Sequence, residues 1–355
     1  MLNVQKFLHN NSFKELQEQY HIQITEYDKL MSLNYSQIES PKNNPITNEC
    51  RGLILEKEYP YKVICRSFDR FYNYGENDIF PDNFQDYECF EKRDGTLINV
   101  YNYKNKWFAA TRKLIYAEGT NIQGYCFNDL FFSVIDKHKL KDIDNNLVLI
   151  FELTSPYNRI VTYYKNTEAK LLSVRHRITG EEFSLHELKK FALLKNFELP
   201  NQYKFKSYDE VINSYNKLKK LEEGFVFINF KSKHRFKMKN PSYLAVANIR
   251  CNGIISIKNI IKLIFLNDYE EYLLFFEDDR IYFEPYITAY KKMIEDILNT
   301  YNTYKHIEDR KEFALIATKT KFSSILFSLL KGKTLTNIFN NLTMNSKITL
   351  INNYL

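Results

Sequence analysis

Cys89-Phe90-Glu91-Lys92-Arg93-Asp94-Gly95-Thr96-Leu97 is a charged segment that ends in a glycine turn and continues directly into an apolar run. Gly95 permits a sharp turn, and the residues after it predict a β-strand. A lysine before an Asp-Gly turn is commonly only solvated, so this segment alone does not assign chemistry to Lys92. The rest of the chain decides whether Lys92 has the surroundings of a reactive amine.

Length and composition are those of an ordinary globular protein. The 355 residues, 44% of them hydrophobic, are enough for about two domains. The formal net charge of +7 fits a polyanionic partner, although many proteins without such a partner carry a similar excess. Charge alone therefore excludes little.

The cysteines and the N-terminal residues indicate a cellular compartment. Five cysteines are odd in number, widely scattered and never in a C-x-x-C pair, which argues against a disulfide framework and a zinc site. The run Met1–Lys6 lacks the basic, apolar and small-residue progression of a signal peptide, and no apolar run approaches the ~18 residues of a membrane span. We expect a soluble cytoplasmic protein, in the host cytoplasm if it is viral, with no membrane association.

Short apolar runs separated by polar turns fill the region from about Glu49 to Lys239, and Asn43-Asn44-Pro45 predicts a turn before its first strand. Because predicted strands and helices are mixed, the fold class is α+β with antiparallel sheet. The predicted elements are the strands Leu97–Tyr101 and Trp107–Ala110 of a hairpin, the strands Leu147–Leu153 and Leu171–Val174, and the helices Leu185–Lys195 and Tyr208–Leu221.

The pattern changes after Pro241, where apolar residues recur at spacings of three and four. This spacing predicts an all-helical C-terminal domain of about 110 residues. We place the domain boundary between residues 244 and 245. The predicted helical stretches are Lys258–Phe276, Tyr286–Tyr301, Arg310–Leu330 and Leu335–Leu350.

A basic segment, Lys231–Lys239, carries a cation at every odd position. On a strand these five side chains would share one face, where they repel each other unless an anion compensates them. Phosphate is one such anion. A solvent-exposed edge strand protected by lysines is the alternative.

Two glutamates occupy notable positions. Glu152 interrupts the apolar strand Leu147–Leu153, where an unpaired charge is costly, so it requires a cation or strong donors. A buried ion pair, for example with Arg159, is the purely structural alternative. Glu223 precedes another hydrophobic strand.

In this order the motifs resemble the covalent nucleotidyltransferase superfamily, and more closely the phage-type ATP-dependent RNA ligases typified by T-even phage. The resemblance covers about residues 49–243. Three positions depart from the pattern: Arg70 and Tyr72 replace a lysine and a phenylalanine, and a family tyrosine falls on Leu33, with Tyr35 close by. The matching motifs are Glu49-Cys50-Arg51-Gly52, Arg70-Phe71-Tyr72-Asn73, Lys92–Thr96, Phe151-Glu152-Leu153, Pro156–Val161, Glu223-Gly224-Phe225-Val226 and Phe236-Lys237-Met238-Lys239.

The resemblance implies a nucleotidyltransferase (adenylation) domain at residues 1–244 and a C-terminal helical domain at 245–355. It implies a monomeric enzyme that uses ATP and Mg²⁺, or Mn²⁺ instead. Such an enzyme joins 5′-phosphate and 3′-hydroxyl RNA ends through lysyl-AMP and RNA-adenylate, in RNA repair, with nicked tRNA as a candidate substrate.

The resemblance also implies roles for single residues. Lys92 is the nucleophile, and Glu152 contacts the ribose or a metal-bound water. Glu223 belongs to the Mg²⁺ shell, and Glu270, with Asp268 and Glu271, lies where the family can bind a second metal. The residues expected to contact ATP are Arg51, Arg70, Lys92, Lys113, Glu152, Lys237 and Lys239.

Two other readings stay open. mRNA capping guanylyltransferases and DNA ligases share the lysine motif, but they usually carry an OB-fold after the last lysine motif, where this chain turns helical. A non-catalytic RNA-binding protein with a ligase fold is the other alternative.

Overall fold

The computed structural model describes residues 1–76, 80–81, 83–120, 124–158, 162–215, 222–241, 243, 250–251 and 254–355. Two compact units divide the chain: Met1–Tyr35 with Ser40–Tyr243, and Ser36–Glu39 with Leu244–Leu355. That residues 1–244 and 245–355 are separate domains stays a prediction.

The first unit contains both helices and three sheets. Its helices are α1 (Asn3–Leu8), α2 (Phe13–Tyr20), α3 (Pro45–Glu49), α4 (Phe127–Phe132), α5 (Leu185–Lys195) and α6 (Tyr208–Tyr215). Its strands are β1 (Ile22–Tyr27), β2 (Leu30–Tyr35), β3 (Arg51–Glu56), β4 (Val63–Cys65), β5 (Tyr72–Asn73), β6 (Glu88–Lys92), β7 (Thr96–Tyr103), β8 (Lys106–Ala110), β9 (Leu147–Thr154), β10 (Glu168–His176), β11 (Gln202–Tyr203), β12 (Gly224–Ile228) and β13 (Arg235–Lys239).

The strand order is β1-β2-β3-β4 in the first sheet, β10-β9-β7-β8 in the second and β11-β6-β12-β13-β5 in the third. The pairings are antiparallel apart from β13 with β5, which is parallel. The predicted hairpin is confirmed as β7 and β8, and its turn places Lys104 and Asn105 at positive φ. Strands β1 and β2 precede Asn43, so the prediction that the strands begin after that turn is wrong.

Side-chain alternation along β9 positions Glu152. Leu149 and Phe151 pack into the core beneath α4 and α5, whereas Val148 and Ile150 pack into the cluster shared with the first sheet. Because alternate residues face the same way, Glu152 emerges on the side of Val148 and Ile150. The carboxylate therefore stands at the end of this face of the sheet instead of inside the core.

The basic segment is only partly a strand, so the prediction of five cations on one strand face is wrong. Strand β13 begins at Arg235, while Lys231 and Lys233 lie in the preceding loop and are exposed. The Asn229 side chain accepts hydrogen bonds from the backbone N–H groups of Lys231 and Ser232, at 2.9 and 3.0 Å. These bonds and the positive φ of Lys233 form a turn in place of an extended strand.

Where the structure describes it, the second unit is helical apart from the short pair β14 (Arg250–Cys251) and β15 (Ile254–Ile255). Three of the predicted stretches are each split into two helices; the first breaks at Asn267, whose φ is 59°. Residues 216–221 of the predicted helix Tyr208–Leu221 lie outside the described residues. The helices of this unit are α7 (Ile257–Leu266), α8 (Tyr269–Phe275), α9 (Arg280–Tyr304), α10 (Arg310–Ala317), α11 (Ser323–Leu330), α12 (Leu335–Asn341) and α13 (Met344–Asn352).

Within the described ranges, none of the helices combines the length and the apolar character needed to cross a membrane.

Candidate active site

Lys92 is the last residue of β6, at the end of the third sheet where β6, β12 and β13 lie side by side. Its Cα pairs with Gly224 of β12, and Gly224 pairs in turn with Lys239 of β13. A Cβ on Gly224 would lie 2.2 Å from the carbonyl oxygen of Met238, and its φ is 137°. Glycine is therefore required between the two lysines.

The same register determines which face of the third sheet each side chain occupies. Phe225, Phe227 and Phe236 are buried on one face, and the rings of Phe227 and Phe236 stack 4.8 Å apart. Val226 and Lys237 are Cα partners on the other face, two residues along from Gly224 and Lys239. Lys92 and Lys237 consequently line one cleft.

Hydrogen bonds from distant segments hold the turn after Lys92. The backbone N–H of Thr162 donates to Asp94 Oδ2 at 2.7 Å, and the hydroxyl of Tyr243 donates to Oδ1 at 3.1 Å. The backbone N–H of Asp94 donates to the Tyr164 hydroxyl at 3.0 Å. Asp94 is 4% exposed, so its carboxylate orders the turn and does not line the cleft.

Gly95 brings the turn against β9. A Cβ there would lie 2.3 Å from the carbonyl oxygen of Leu153, so only glycine fits. The N–H of Gly95 donates to Glu152 Oε1 at 3.1 Å, which ties the lysine turn to the carboxylate. The Arg93 guanidinium pairs with Glu168 (2.8 Å) and lies over the ring of Tyr164.

Two carboxylates accompany the lysine amine. Lys92 Nζ lies 2.6 Å from Glu223 Oε1, and Glu223 is 7% exposed. Burial, followed by the negative charge of Glu223, raises the pKa of Glu152 to about 7, although Lys92 and Arg51 act in the opposite direction. The Lys92 amine therefore lies beside Glu223, in a cleft whose Glu152 carboxyl group titrates near neutrality.

One part of the cleft wall is cationic and aromatic. Arg51 and Lys237 line it together with Phe71, and the Arg51 guanidinium lies 5.3 Å from the centre of that ring. Arg51 Nη1 is buried and has no hydrogen-bond acceptor among the described residues. The cleft has a volume of about 270 Å³, close to the lower end of the range for small-molecule sites. This donor set suits an anion such as phosphate.

Arg70 lines a second cavity beside the first, and its guanidinium lies 4.3 Å from the centre of the Tyr35 ring. Arg112 is at the same distance from that ring. Burial favours the neutral phenol, but Arg112, Arg51 and Arg70 outweigh it and lower the pKa of Tyr35. The position expected to carry a tyrosine, Leu33, is fully buried. The tyrosine that contacts the arginines is Tyr35.

Three further predicted positions do not line the Lys92 cleft, and one of them, Lys239, is buried at the end of β13. Lys113 is exposed after β8 and is not among the residues lining the Lys92 cleft. Glu270 lies in α8 of the second unit, where the Tyr269 hydroxyl donates to it at 3.4 Å. The suggested partner of Glu152, Arg159, lies outside the described residues.

Glu152 and Glu223 could hold a divalent cation only in part. Across the described segments, no three His, Cys, Asp or Glu side chains are grouped closely enough to hold a metal by themselves. The carboxylates of Glu152 and Glu223 interact with each other and with Lys92, and such a pair nevertheless fits Mg²⁺, which commonly takes its other ligands from substrate phosphates and water. Burial, and after it the charge of Glu223, raises the pKa of Glu152, and a cation at this position would favour the charged carboxylate.

Sequence reasoning missed three features of this site. Tyr243 and Tyr164 hold the lysine turn, and Glu182 holds Arg235 on the cleft wall at 2.8 Å. Tyr243 is 149 residues from Asp94 in the chain, and no local pattern marks these pairs.

Comparison with known proteins finds a matching family model and a similar viral protein. A family model described as RNA ligase matches residues 49–243. A protein of Autographa californica nuclear polyhedrosis virus, named as a candidate bifunctional polynucleotide kinase/RNA ligase, is 31% identical over 311 residues. The match covers 81% of this chain and 44% of that protein, so the chain spans less than half the length of the relative.

Solved structures show the same fold. The archaeal ATP-dependent RNA ligase, form 1, has a TM-score of 0.50 at 13% identity, covering 91% of this chain and 81% of that one. A candidate ATP-dependent DNA ligase from Aquifex aeolicus also has a TM-score of 0.50, at 15% identity, covering 91% and 98%. The predicted α+β fold with a helical C-terminal region is confirmed, and the fold by itself does not separate RNA from DNA as substrate.

Proposed function

The chain belongs to the RNA ligase family, and we propose that it is an ATP-dependent RNA ligase whose nucleophile is Lys92. The observation that carries the proposal is the position of the Lys92 amine. It lies 2.6 Å from Glu223 in a cleft that also contains Glu152, Arg51 and Lys237. A nucleophilic amine, carboxylates and phosphate-binding cations are the groups that nucleotidyl transfer requires.

In the proposed first step, Lys92 becomes adenylated. The ammonium group loses a proton, and Glu223 is close enough to accept it. Nζ then attacks the α-phosphorus of ATP; the new N–P bond forms as the bond to the bridging oxygen breaks, which releases pyrophosphate. Arg51 and Lys237 stabilise the charge that develops on the phosphate oxygens.

In the second step the 5′-phosphate of RNA attacks the same phosphorus, the N–P bond breaks, and the Lys92 amine is regenerated. In the third, the 3′-hydroxyl of RNA attacks the 5′-phosphorus and AMP leaves as the phosphodiester forms. Neither later step needs a further covalent group from the protein. Both depend on orientation and on stabilisation of phosphate charge by Arg51 and Lys237.

A divalent cation, Mg²⁺ or Mn²⁺, would be held by Glu152 and Glu223 and would neutralise phosphate charge. The two carboxylates support this assignment because burial and mutual repulsion raise the pKa of Glu152. Glu270 remains a proposal for a second cation, and Lys113 and Lys239 remain proposals for contacts with the nucleotide.

The decisive experiment follows radiolabel from ATP. Incubation with α-labelled ATP is expected to label the wild-type protein but not Lys92→Ala, whereas Lys14→Ala, on the exposed surface of α2, labels normally. Sealing of 5′-phosphate RNA by Lys92→Ala at the wild-type rate would rule out the covalent reaction and favour the non-catalytic reading of the site.

Substrate choice requires its own measurement. Labelled GTP and nicked DNA are the comparisons, because capping guanylyltransferases and DNA ligases use the same kind of lysine motif. Labelling by GTP alone, or sealing confined to DNA nicks, contradicts the proposal. Nicked tRNA anticodon loops are the substrate proposed within RNA repair, and faster sealing of nicked tRNA than of unstructured RNA is the expected result.

A further inference from the structure

The second cavity shares a wall with the Lys92 cleft. Phe71 and Arg235 line both, and the second cavity also includes Arg70 and Lys233. A side chain on this shared wall can contact a ligand that occupies either side. Arg235 is the cation common to the two sets of lining residues.

Glu182 fixes the orientation of Arg235. Arg235 Nη2 donates to Glu182 Oε2 at 2.8 Å, and Nη1 donates to Oε1 at 3.4 Å. Both side chains are 7% exposed. The hydroxyl of Ser173 donates to Glu182 Oε2 at 2.9 Å, and the guanidinium rests 4.2 Å from the centre of the Phe68 ring. A carboxylate, a hydroxyl and an aromatic ring thus hold one arginine in place.

Stability alone does not explain this pair. Two charges removed from water are commonly no more stabilising than apolar side chains of similar volume. The contacts with Glu182 use one N–H from each terminal nitrogen, so three of the five guanidinium N–H groups of Arg235 are not engaged by Glu182. A planar donor set on a cavity wall is well suited to phosphate oxygens.

We infer that Arg235 binds a phosphate group at the wall between the two cavities and that Glu182 is its positioning residue. This rests on the proposed ligase function, because the phosphate is one that the reaction brings next to Lys92. It is either the β- and γ-phosphates of ATP in the first step or the 5′-phosphate of RNA in the second. The two sources share their chemistry and differ in the step that Arg235 serves.

The test removes both charges together. Glu182→Leu with Arg235→Met leaves no charge unpaired, so the fold is expected to persist. Lys170→Met with Glu198→Leu is the matched control, because that ion pair is among the lining residues of neither cavity. Single-turnover experiments measure lysine adenylation from ATP and, separately, AMP transfer from pre-adenylated protein to 5′-phosphorylated RNA.

A charged hydrogen bond to phosphate corresponds to a rate loss of about 10- to 100-fold. Loss in the adenylation step identifies the ATP phosphates as the ligand, and loss in the transfer step identifies the RNA 5′-phosphate. Rates within about twofold of the control in both steps, in a variant with normal thermal melting, overturn the inference. Should the double variant not fold, Arg235→Lys keeps the charge but loses the planar donors, and it is held to the same expectation.

The positioning role has a separate readout. If Glu182 acts through Arg235, Glu182→Gln slows the affected step in the wild-type background and adds nothing in an Arg235→Gln background. An equal further loss in that background contradicts the positioning role. Were the wild-type protein not labelled by ATP at all, the ligase proposal would fail by itself. Calorimetry with inorganic pyrophosphate would still test phosphate binding by Arg235. Weaker binding by the double variant than by the wild type is expected, and equal affinity would contradict the inference.

Discussion

Substitution of Glu152 by glutamine should stabilise the ligand-free protein at alkaline pH. Burial, together with Glu223, raises the pKa of Glu152 from 4.5 to about 7. Between these pH values the folded protein retains a proton that the unfolded chain releases, so stability falls as pH rises through the window. The full difference corresponds to about 3 kcal/mol above pH 7 and vanishes below pH 4.5.

Urea unfolding at pH 5 and pH 8 measures this effect. The single tryptophan, Trp107 in β8, packs against the core cluster that contains Leu149 and Phe151, so its fluorescence reports unfolding around the site. The advantage of Glu152→Gln over wild type should grow by roughly 2–3 kcal/mol between the two pH values. Glu18→Gln, the same change on the exposed face of α2, gives the background of the substitution.

The same variant should lose the chemistry. If Glu152 helps to hold a divalent cation or the ribose, labelling by ATP falls at least ~10-fold although the protein is more stable. A stability difference that is equal at pH 5 and pH 8 would refute the electrostatic reasoning. Full labelling activity in Glu152→Gln would refute the catalytic reading of Glu152.

Three further substitutions test the frame of the site. Gly224→Ala should destabilise the protein by about 2–4 kcal/mol, because its Cβ would lie 2.2 Å from a carbonyl oxygen; Gly124→Ala, at φ 83° with open space around it, should cost about 1 kcal/mol in the same urea titration. Tyr243→Phe removes one donor to the buried Asp94 and should cost about 1–3 kcal/mol while slowing adenylation; wild-type rate and stability would show that the hydroxyl does not hold the lysine turn. Glu223→Gln should lower adenylation at least ~10-fold with little change in thermal melting, and an unchanged rate would remove Glu223 from the mechanism.

Local signals predicted the elements whose ends are set locally. Helix α5 begins and ends where the sequence predicts, since Ser184 and Glu187 form a capping box and Asn196 ends the helix in a left-handed conformation. The β7–β8 hairpin is also set by a local signal, the polar turn between its strands, where Lys104 and Asn105 have positive φ. These signals act within a few residues and need no tertiary context.

Periodicity misled where a turn interrupts it. The alternating cations from Lys231 continue the pattern of a strand, yet the Asn229 side chain captures the backbone N–H groups that a strand would use. Likewise, apolar spacing runs through Asn267, although that residue ends α7. In both cases a single asparagine outweighs the pattern on either side.

Short sequence motifs identified those residues of the site that each lie within a recognisable run. Lys92, Glu152 and Lys237 each stand in a recognisable run, and the structure brings them to one cleft. The pairs Asp94–Tyr243 and Arg235–Glu182 span 149 and 53 residues and have no such run. Contacts of this kind depend on tertiary packing, which a pattern in one sequence does not encode.

The register of the third sheet sets a fixed spacing for charge. Lys92 and Lys239 stand two strands apart, roughly 10 Å between their backbones, with a residue that has no side chain between them. Because Gly224 lies between them, β12 contributes no side chain to the space that separates these two backbone positions on this face of the sheet. The separation of the two lysine backbones is thus set by hydrogen bonding between strands, and a substitution of either side chain leaves it unchanged.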